Sequence, residues 1–529
     1  MKKIVLFFYI LFLQFVFSQE KPNFLFVILD DAGLDMGAYN STYVNTPAFD
    51  RVAKNGILFT NAYTPNAKCA PSRACILTGR NPWQLDAAAN HNIYFPSKFK
   101  TYQDILQENG YSTGYTGKGY APGIALDAEG NQRELTGKPY NDKKTTPPTP
   151  AISKIDYAGN FSLLLNDVDA EKPWSFWVGM YEPHRYYEYE SGKKLGSKSV
   201  EMITDFPPYW RKNEVTQNDL LDYAFEIEYA DKQLAEIIEL LKKNGEYENT
   251  VIVVTSDHGM PFPRVKGNLY EKAIHVPLAI SWEAGITDKN RKVNSMISFI
   301  DLAPTFLEMA QINEKESGMQ PITGKSMLPL LKSSDSSLES KKDWVLIGKE
   351  RHDTGRPNDV GYPIRGIVKD SMLYLKNYEI NRWPSGNPET GYLNTDGSPT
   401  KTEILQLRRT SENSEFWQIN FGKRPEEELY NIKKDPFCMV NLANEKTFQS
   451  TKINLRSFME EKLVEQNDLR MKNYGYIYER YPLFSGRNFY IDYIKGKKPK
   501  AGWVNDSDFE EFYVNDEGEN LKKVFQNEN

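Results

Sequence analysis

Four stretches of this chain join an apolar run of buried-strand length to an abrupt polar ending, and that pattern leaves few folds open. Asn23-Phe24-Leu25-Phe26-Val27-Ile28-Leu29 runs straight into Asp30-Asp31 and then Gly33. Thr250-Val251-Ile252-Val253-Val254-Thr255 runs into Ser256-Asp257-His258-Gly259. Trp174 to Met180 leads to Glu182-Pro183-His184-Arg185, and Tyr111 to Thr116 stops at Gly117-Lys118. Apolar strands that do not alternate belong to parallel sheets covered by helices on both faces. A helix is expected from a Thr216 cap to Lys243, with Lys242 and Lys243 in its last turn and Asn244-Gly245 ending it. The strand at Thr250 follows at once. The expected fold is therefore α/β: a large mixed, mostly parallel sheet sandwiched by helices, then a smaller α+β subdomain with a short antiparallel sheet. In open sheets of this kind ligands collect outside the carboxyl ends of the strands. Four polar endings then converge on one site.

The residue types at those endings suggest its chemistry. Asp30 and Asp31 would repel each other without a cation, and Asp257 on an equivalent strand end makes three carboxylates, a set suited to a hard divalent ion. His258 follows Asp257 and offers a softer nitrogen ligand. Ser256-Asp257-His258 carries the letters of a hydrolase triad, but consecutive residues on a strand end cannot all face one another.

With 529 residues the chain exceeds one ordinary domain. Lys2-Lys3 followed by the apolar Ile4 to Phe17 reads as a leader cleaved near Ser18, too short to span a membrane, and no second long apolar run follows. The expected division is a leader at 1–18, a catalytic domain at 19–340, a C-terminal subdomain at 341–495 and a polar tail at 496–529, with Ser333 to Lys342 as linker. Periplasmic or secreted location follows from the leader. A net charge of −6 excludes a general polycation, so no nucleic-acid partner is expected and an anionic ligand needs a local basic cluster. The three cysteines, Cys69, Cys75 and Cys438, exclude a disulfide scaffold and leave open whether the last two pair.

Beyond the linker, Trp344 to Ile347 and a hairpin of Gly366-Ile367-Val368 with Met372 to Leu375 around Asp370-Ser371 read as short strands, then Glu428 to Asn431, with a helix from about Thr447 to Asn467. The loop from Glu350 to Pro357 carries Arg351, His352 and Arg356, a candidate wall for an anionic sugar or equally a solvated loop.

Cys69-Ala70-Pro71-Ser72-Arg73-Ala74-Cys75-Ile76-Leu77-Thr78-Gly79 resembles the sulfatase signature, in which the cysteine is oxidised to formylglycine. Together with the four endings, the chain is similar to the type I sulfatases of the alkaline phosphatase superfamily. The resemblance is nearest the sulfamidase-like branch, through Gly37-Ala38-Tyr39-Asn40, Met260-Pro261-Phe262-Pro263 and Asn268-Leu269-Tyr270. It implies that Cys69 becomes formylglycine, matured by a formylglycine-generating or anaerobic sulfatase-maturating enzyme. It also implies one calcium ion on Asp30, Asp31, Asp257 and His258 and touching residue 69, Arg73 and Lys118 orienting nucleophile and sulfate, His184 donating a proton, and Lys266 as a later sulfate contact. A hydrated aldehyde suits this task, because one hydroxyl attacks sulfur and the other lets the carbonyl re-form and expel sulfate. One position departs: the family commonly has Lys-x-His where this chain has Lys118-Gly119-Tyr120. Tyr120 serves there, or His91 comes in from another loop as base or as a contact to the leaving sugar. The expected activity is hydrolysis of sulfate esters of a carbohydrate, with an algal polymer such as ulvan one possible source. The alternatives are a phosphate or phosphonate monoester hydrolase of the same superfamily, a sulfamidase on N-sulfated glycosaminoglycan, and a non-catalytic binder of sulfated glycans.

Overall fold

The computed structural model describes residues 21–169, 171–333, 343–412, 414–497 and 499–525. The leader at 1–18 lies outside the described residues, as does all but Ser333 of the linker. An eight-stranded sheet forms the centre, in the order Arg291–Val293, Ile57–Phe59, Leu278–Trp282, Thr250–Ser256, Asn23–Leu29, Trp174–Gly179, Ser112–Gly117, Lys138–Pro139. The five strands from Thr250–Ser256 to Lys138–Pro139 run parallel, and Leu278–Trp282 is antiparallel to its neighbours. The sheet is therefore mixed and mostly parallel.

Strand Asn23–Leu29 shows why every position is apolar. Side chains alternate across a sheet, so a strand with a core on each face needs apolar residues throughout. Leu25, Val27 and Leu29 enter one core with Leu220, Ala224 and Ile227 of the helix Glu214–Lys243. Phe24, Phe26 and Ile28 enter the other with Phe306 and Ile105 from the helices Leu302–Met309 and Tyr102–Glu108. Each such burial contributes about 1.5–3 kcal/mol.

The long helix begins two residues before the expected cap. Asn213 is the cap: its side chain accepts from the Thr216 amide at 3.1 Å, and the Thr216 hydroxyl accepts from the Asn213 amide at 3.3 Å. Thr216 is thus the returning arm of a capping box. The signature residues Cys69–Thr78 form a wholly buried helix ending at Gly79, whose φ of 66° favours glycine. Pro71 sits in its first turn, where amides have no intrahelical partner to lose.

The smaller sheet pairs Trp344–Lys349, Ile364–Lys369, Met372–Asn377 and Glu427–Asn431 in sequence order, all antiparallel. Asp370 and Ser371 turn the hairpin with φ of 50° and 65°, the geometry of a two-residue primed turn. The helix Gln449–Glu465 covers this sheet through Leu455, Met459 and Leu463. The polar tail packs onto the body: Asp508 is buried 3.0 Å from Lys401 Nζ, and Trp503 Nε1 donates to the Leu393 carbonyl at 2.8 Å. Cys75 and Cys438 are both free and buried. Among the described residues no helix is long and apolar enough to cross a membrane.

Arg365 anchors the small sheet to the segment just past its covering helix. It is 1% exposed, donates to Asp468 at 2.7 and 3.1 Å and to Glu350 at 2.7 Å. Asp468→Ala leaves this buried guanidinium with one of its two carboxylate partners, and removing one member of a buried pair costs about 3–5 kcal/mol. The expected outcome is a clear fall in melting temperature. An unchanged melting curve would contradict this packing.

Candidate active site

The registered strands Asn23–Leu29 and Thr250–Ser256 place Leu29 beside Ser256, so their polar endings leave the sheet together. Asp31 takes a φ of 70°, and its amide donates to Asp257 Oδ1 at 3.1 Å. Ser256 Oγ accepts from the Ala32 amide at 2.8 Å and lies 2.9 Å from the His258 carbonyl. The serine knits two strand ends and faces no histidine ring. Asp30, Asp31, Asp257 and His258 are all fully buried.

His258 Nδ1 lies 3.0 Å from the Gly259 carbonyl, which accepts only if that nitrogen carries the hydrogen. Nε2 then faces Asp31 Oδ1 at 3.0 Å, Cys69 Sγ at 3.5 Å and Asp257 Oδ1 at 3.8 Å. Two lone pairs at such a distance repel, so the contact needs a second proton on the ring or a cation between the two atoms. Without a metal, burial opposes the imidazolium but Asp257 and Asp31 outweigh it and raise the ring well above its usual range. Burial, and then the charge of Asp30, push Asp257 up to about 7. The site is short of positive charge at its centre, and a divalent ion between these groups would supply it. Donor atoms of Asp31, Cys69 and His258 lie within 4.8 Å of one another, as do those of Asp30, Cys69 and Asp257. The two sets meet at residue 69, and their oxygen-rich composition with one imidazole nitrogen fits a hard divalent cation. The further set Asp31, His184 and Asp396 is already bridged by Lys266 Nζ, 2.6 Å from both carboxylates.

A ring of cations surrounds the carboxylates. Lys118 Nζ lies 2.5 Å from Asp30, and Arg73 reaches Asp257 at 3.0 Å and Asp30 at 3.3 Å. Burial pushes Asp30 upward, but Lys118 and Arg73 prevail and hold it well below the usual carboxylate range. Arg73 is fully buried and also donates to the Lys118 and Gly119 carbonyls at 2.8 and 3.0 Å. Its guanidinium is therefore spent on carboxylates and backbone. Lys118 and Lys266 line the cavity itself.

Cys69 is the first residue of its helix, where free amides and the helix dipole favour an anion. Burial and Asp30 raise its thiol, but Lys118, His258 and His91 together bring it well below the usual value. His91 is 6% exposed and its Nδ1 lies 2.8 Å from Asp353 Oδ1, leaving Nε2 buried without a hydrogen-bond partner on the Cys69 side. Asp353 also pairs with Lys68 at 2.7 Å. Tyr120 lines the cavity, but its hydroxyl is buried without a partner, and burial pushes its proton affinity well above the usual tyrosine range. His184 Nδ1 is 2.8 Å from the Arg185 carbonyl, and Nε2 stands 3.8 Å from Asp31 Oδ2 at the cavity wall.

The basic loop is not the wall its composition suggests. Arg351, His352 and Arg356 are 2%, 0% and 1% exposed and do not line the cavity. Arg351 donates to the Glu479 and Tyr481 carbonyls, Arg356 to those of Trp383 and Pro384, and His352 Nε2 meets Asn66 Oδ1 at 2.8 Å. The two arginines are backbone clamps, and His352 holds the Asn66 side chain. The Arg351 carbonyl accepts from the His91 amide and its own amide donates to Asn90 Oδ1, so the loop holds the His91 segment in place. Lys68, Asp353, Asp396 and Trp503 line the cavity of about 750 Å³ and were not singled out by sequence. Lys68 had a usable signal, its place directly before Cys69; the other three join the site only through tertiary contacts.

A family model named Sulfatase matches residues 22–312, more than half of the chain. The chain belongs to the sulfatase family. This sulfatase is a sulfuric ester hydrolase. It is 27% identical to an ulvan-active sulfatase of Formosa agariphila over 85% of this chain and 76% of that protein. It is 25% identical to the human N-sulphoglucosamine sulphohydrolase over 80% of this chain and 86% of that protein. Its fold matches a solved 2-O GAG sulfatase with a TM-score of 0.58 at 19% identity, covering 88% of this chain and 99% of that one.

The charge argument predicts that a hard divalent cation stabilises the fold by mass action. Adding calcium chloride should raise the melting temperature of the wild type, and Asp31→Asn or Asp257→Asn should lose most of that rise. An equal rise in all three proteins would contradict the site.

Proposed function

We propose that this sulfatase removes sulfate from a carbohydrate with residue 69 oxidised to formylglycine and one calcium ion on Asp30, Asp31, Asp257 and His258. The observation that carries the reading is the meeting of both cation-binding sets at Cys69, at a helix N-terminus that opens onto a cavity. When present, the formylglycine hydrate supplies an attacking oxygen on a carbon that can re-form its carbonyl, and the ion polarises the sulfate.

The chain's own groups then have these tasks. Arg73 holds the carboxylates of Asp30 and Asp257 in place. Lys118 and Lys266 offer charged donors to sulfate oxygens from the cavity wall. His184 Nε2, with Nδ1 tied to the Arg185 carbonyl, gives a proton to the leaving sugar oxygen. His91 Nε2 takes the proton from the side chain at position 69, and Asp353 holds the other ring nitrogen so that Nε2 keeps facing it. A cavity of about 750 Å³, with Tyr181 and Trp503 in its wall, is large enough for a sugar ring with its sulfate.

A carbohydrate substrate is supported by the names of the relatives, ulvan-active and N-sulphoglucosamine enzymes among them. A maturating enzyme is the implied partner for Cys69, and the leader read at residues 1–18 supports an exported enzyme.

Mass spectrometry of the peptide containing residue 69 should show an aldehyde in place of the thiol, and Cys69→Ser should abolish multiple turnover with the fold intact. Sustained turnover by a homogeneous Cys69→Ser protein would overturn the mechanism. Matched sulfate and phosphate esters of one sugar should show a clear preference for sulfate; the reverse preference would favour the phosphohydrolase alternative. His91→Ala should lower kcat about 10²–10⁴-fold, while Tyr120→Phe leaves it near normal. The opposite pattern would make the tyrosine the working group.

A further inference from the structure

A second cavity of about 540 Å³ adjoins the catalytic one. Three segments of chain pass from one lining to the other within two residues. His184 lines the first and Arg185 the second, Asp396 the first and Gly397 the second, Trp503 the first and Asn505 the second. Neighbouring Cα atoms are about 3.8 Å apart, so three crossings at this spacing place the two cavities side by side.

The walls of the second cavity have a different chemistry. Tyr186 and Tyr189 stand on its rim, 65% and 52% exposed. Two large aromatic faces left to water on one short loop are suited to stacking against the C–H face of a sugar ring. Asn218 Nδ2 reaches the Tyr189 hydroxyl at 3.4 Å. The floor is rigid: the Arg185 guanidinium lies 4.4 Å over Tyr187 and 4.2 Å over Phe262, and grips Asp219 at 2.7 and 2.9 Å.

Charge separates the two compartments. In the catalytic cavity Lys68, Lys118, Arg133 and Lys266 stand against Asp30, Glu134, Asp353 and Asp396, an even balance of charge. In the second, Arg185 is the one cation among the described lining residues, and Asp219 neutralises it. The remaining charged lining groups are the carboxylates of Asp222, already held by the Glu190 and Gly192 amides, and of Glu403, and both repel sulfate. We infer that the second cavity binds an unsulfated sugar unit next to the sulfated one, so that the enzyme selects oligosaccharides over lone sulfated monosaccharides. This rests on the carbohydrate reading above.

The experiment compares the wild type with the double variant Tyr186→Ala/Tyr189→Ala, after melting curves establish equal folding. Ulvan and heparan sulfate oligosaccharides of two, four and six units, the sulfated monosaccharides made from them, and an aryl sulfate serve as substrates. The wild type should show a lower KM for oligosaccharides than for the monosaccharide. In the variant that KM should rise about tenfold, the loss of one or two aromatic contacts, with kcat and the values for the small substrates unchanged. Equal KM for all chain lengths in the wild type, or an equal change on small and long substrates in the variant, would overturn the second cavity while leaving the carbohydrate reading intact. A wild type that hydrolyses the aryl sulfate and none of the sugars would overturn both.

Discussion

The three carboxylates buried at two adjacent strand ends are the constraint on which the rest of the site depends. Asp30, Asp31 and Asp257 are withdrawn from water, and burial alone would keep them protonated. They stay together because Arg73, Lys118 and Lys266 surround them and because the arrangement leaves room for a cation at residue 69. Each cation comes from a different part of the chain: the signature helix, the end of the 112–117 strand and the loop after the 250–256 strand. The convergence that makes the site also ties these elements to one another.

The small sheet contributes more than cover. Glu350 and Asp468 fix Arg365, and the loop that leaves Lys349 then carries Arg351 and Asp353 to the His91 segment. Asp396 and Trp503, from later in the chain, complete the cavity wall. A ring nitrogen on the residue 69 side of the cavity therefore depends on a carboxylate that lies 262 residues away in sequence. Where the resemblance to the family implies a histidine this chain has Tyr120, and the Asp353–His91 pair lines the same cavity.

Much of this was legible in the sequence, for identifiable reasons. The strand at 23–29 announces a core on both faces because no position in it is polar after Asn23, and the order of strand and helix around 214–256 announces parallel pairing. Cys69, Asp30, Asp31 and Asp257 stand out because their environment is encoded within a few neighbours. The loop at 350–357 misleads because composition alone cannot tell an arginine that faces a ligand from one that clamps carbonyls, as Arg351 and Arg356 do. Asp353 and Trp503 carry no local signal, since each acquires its role only when segments hundreds of residues apart meet. The tail reads as polar, yet Asp508 is buried against the ammonium of Lys401.

The central claim is that a cation sits where the two carboxylate sets meet residue 69. Anomalous diffraction from a crystal grown with calcium tests it most directly. One peak is expected about 2.3–2.6 Å from oxygens of Asp30, Asp31 and Asp257, next to His258 Nε2 and the residue 69 side chain. A cavity with no peak at saturating calcium, or a peak held by the Asp31, His184 and Asp396 set with Lys266 displaced, would contradict it.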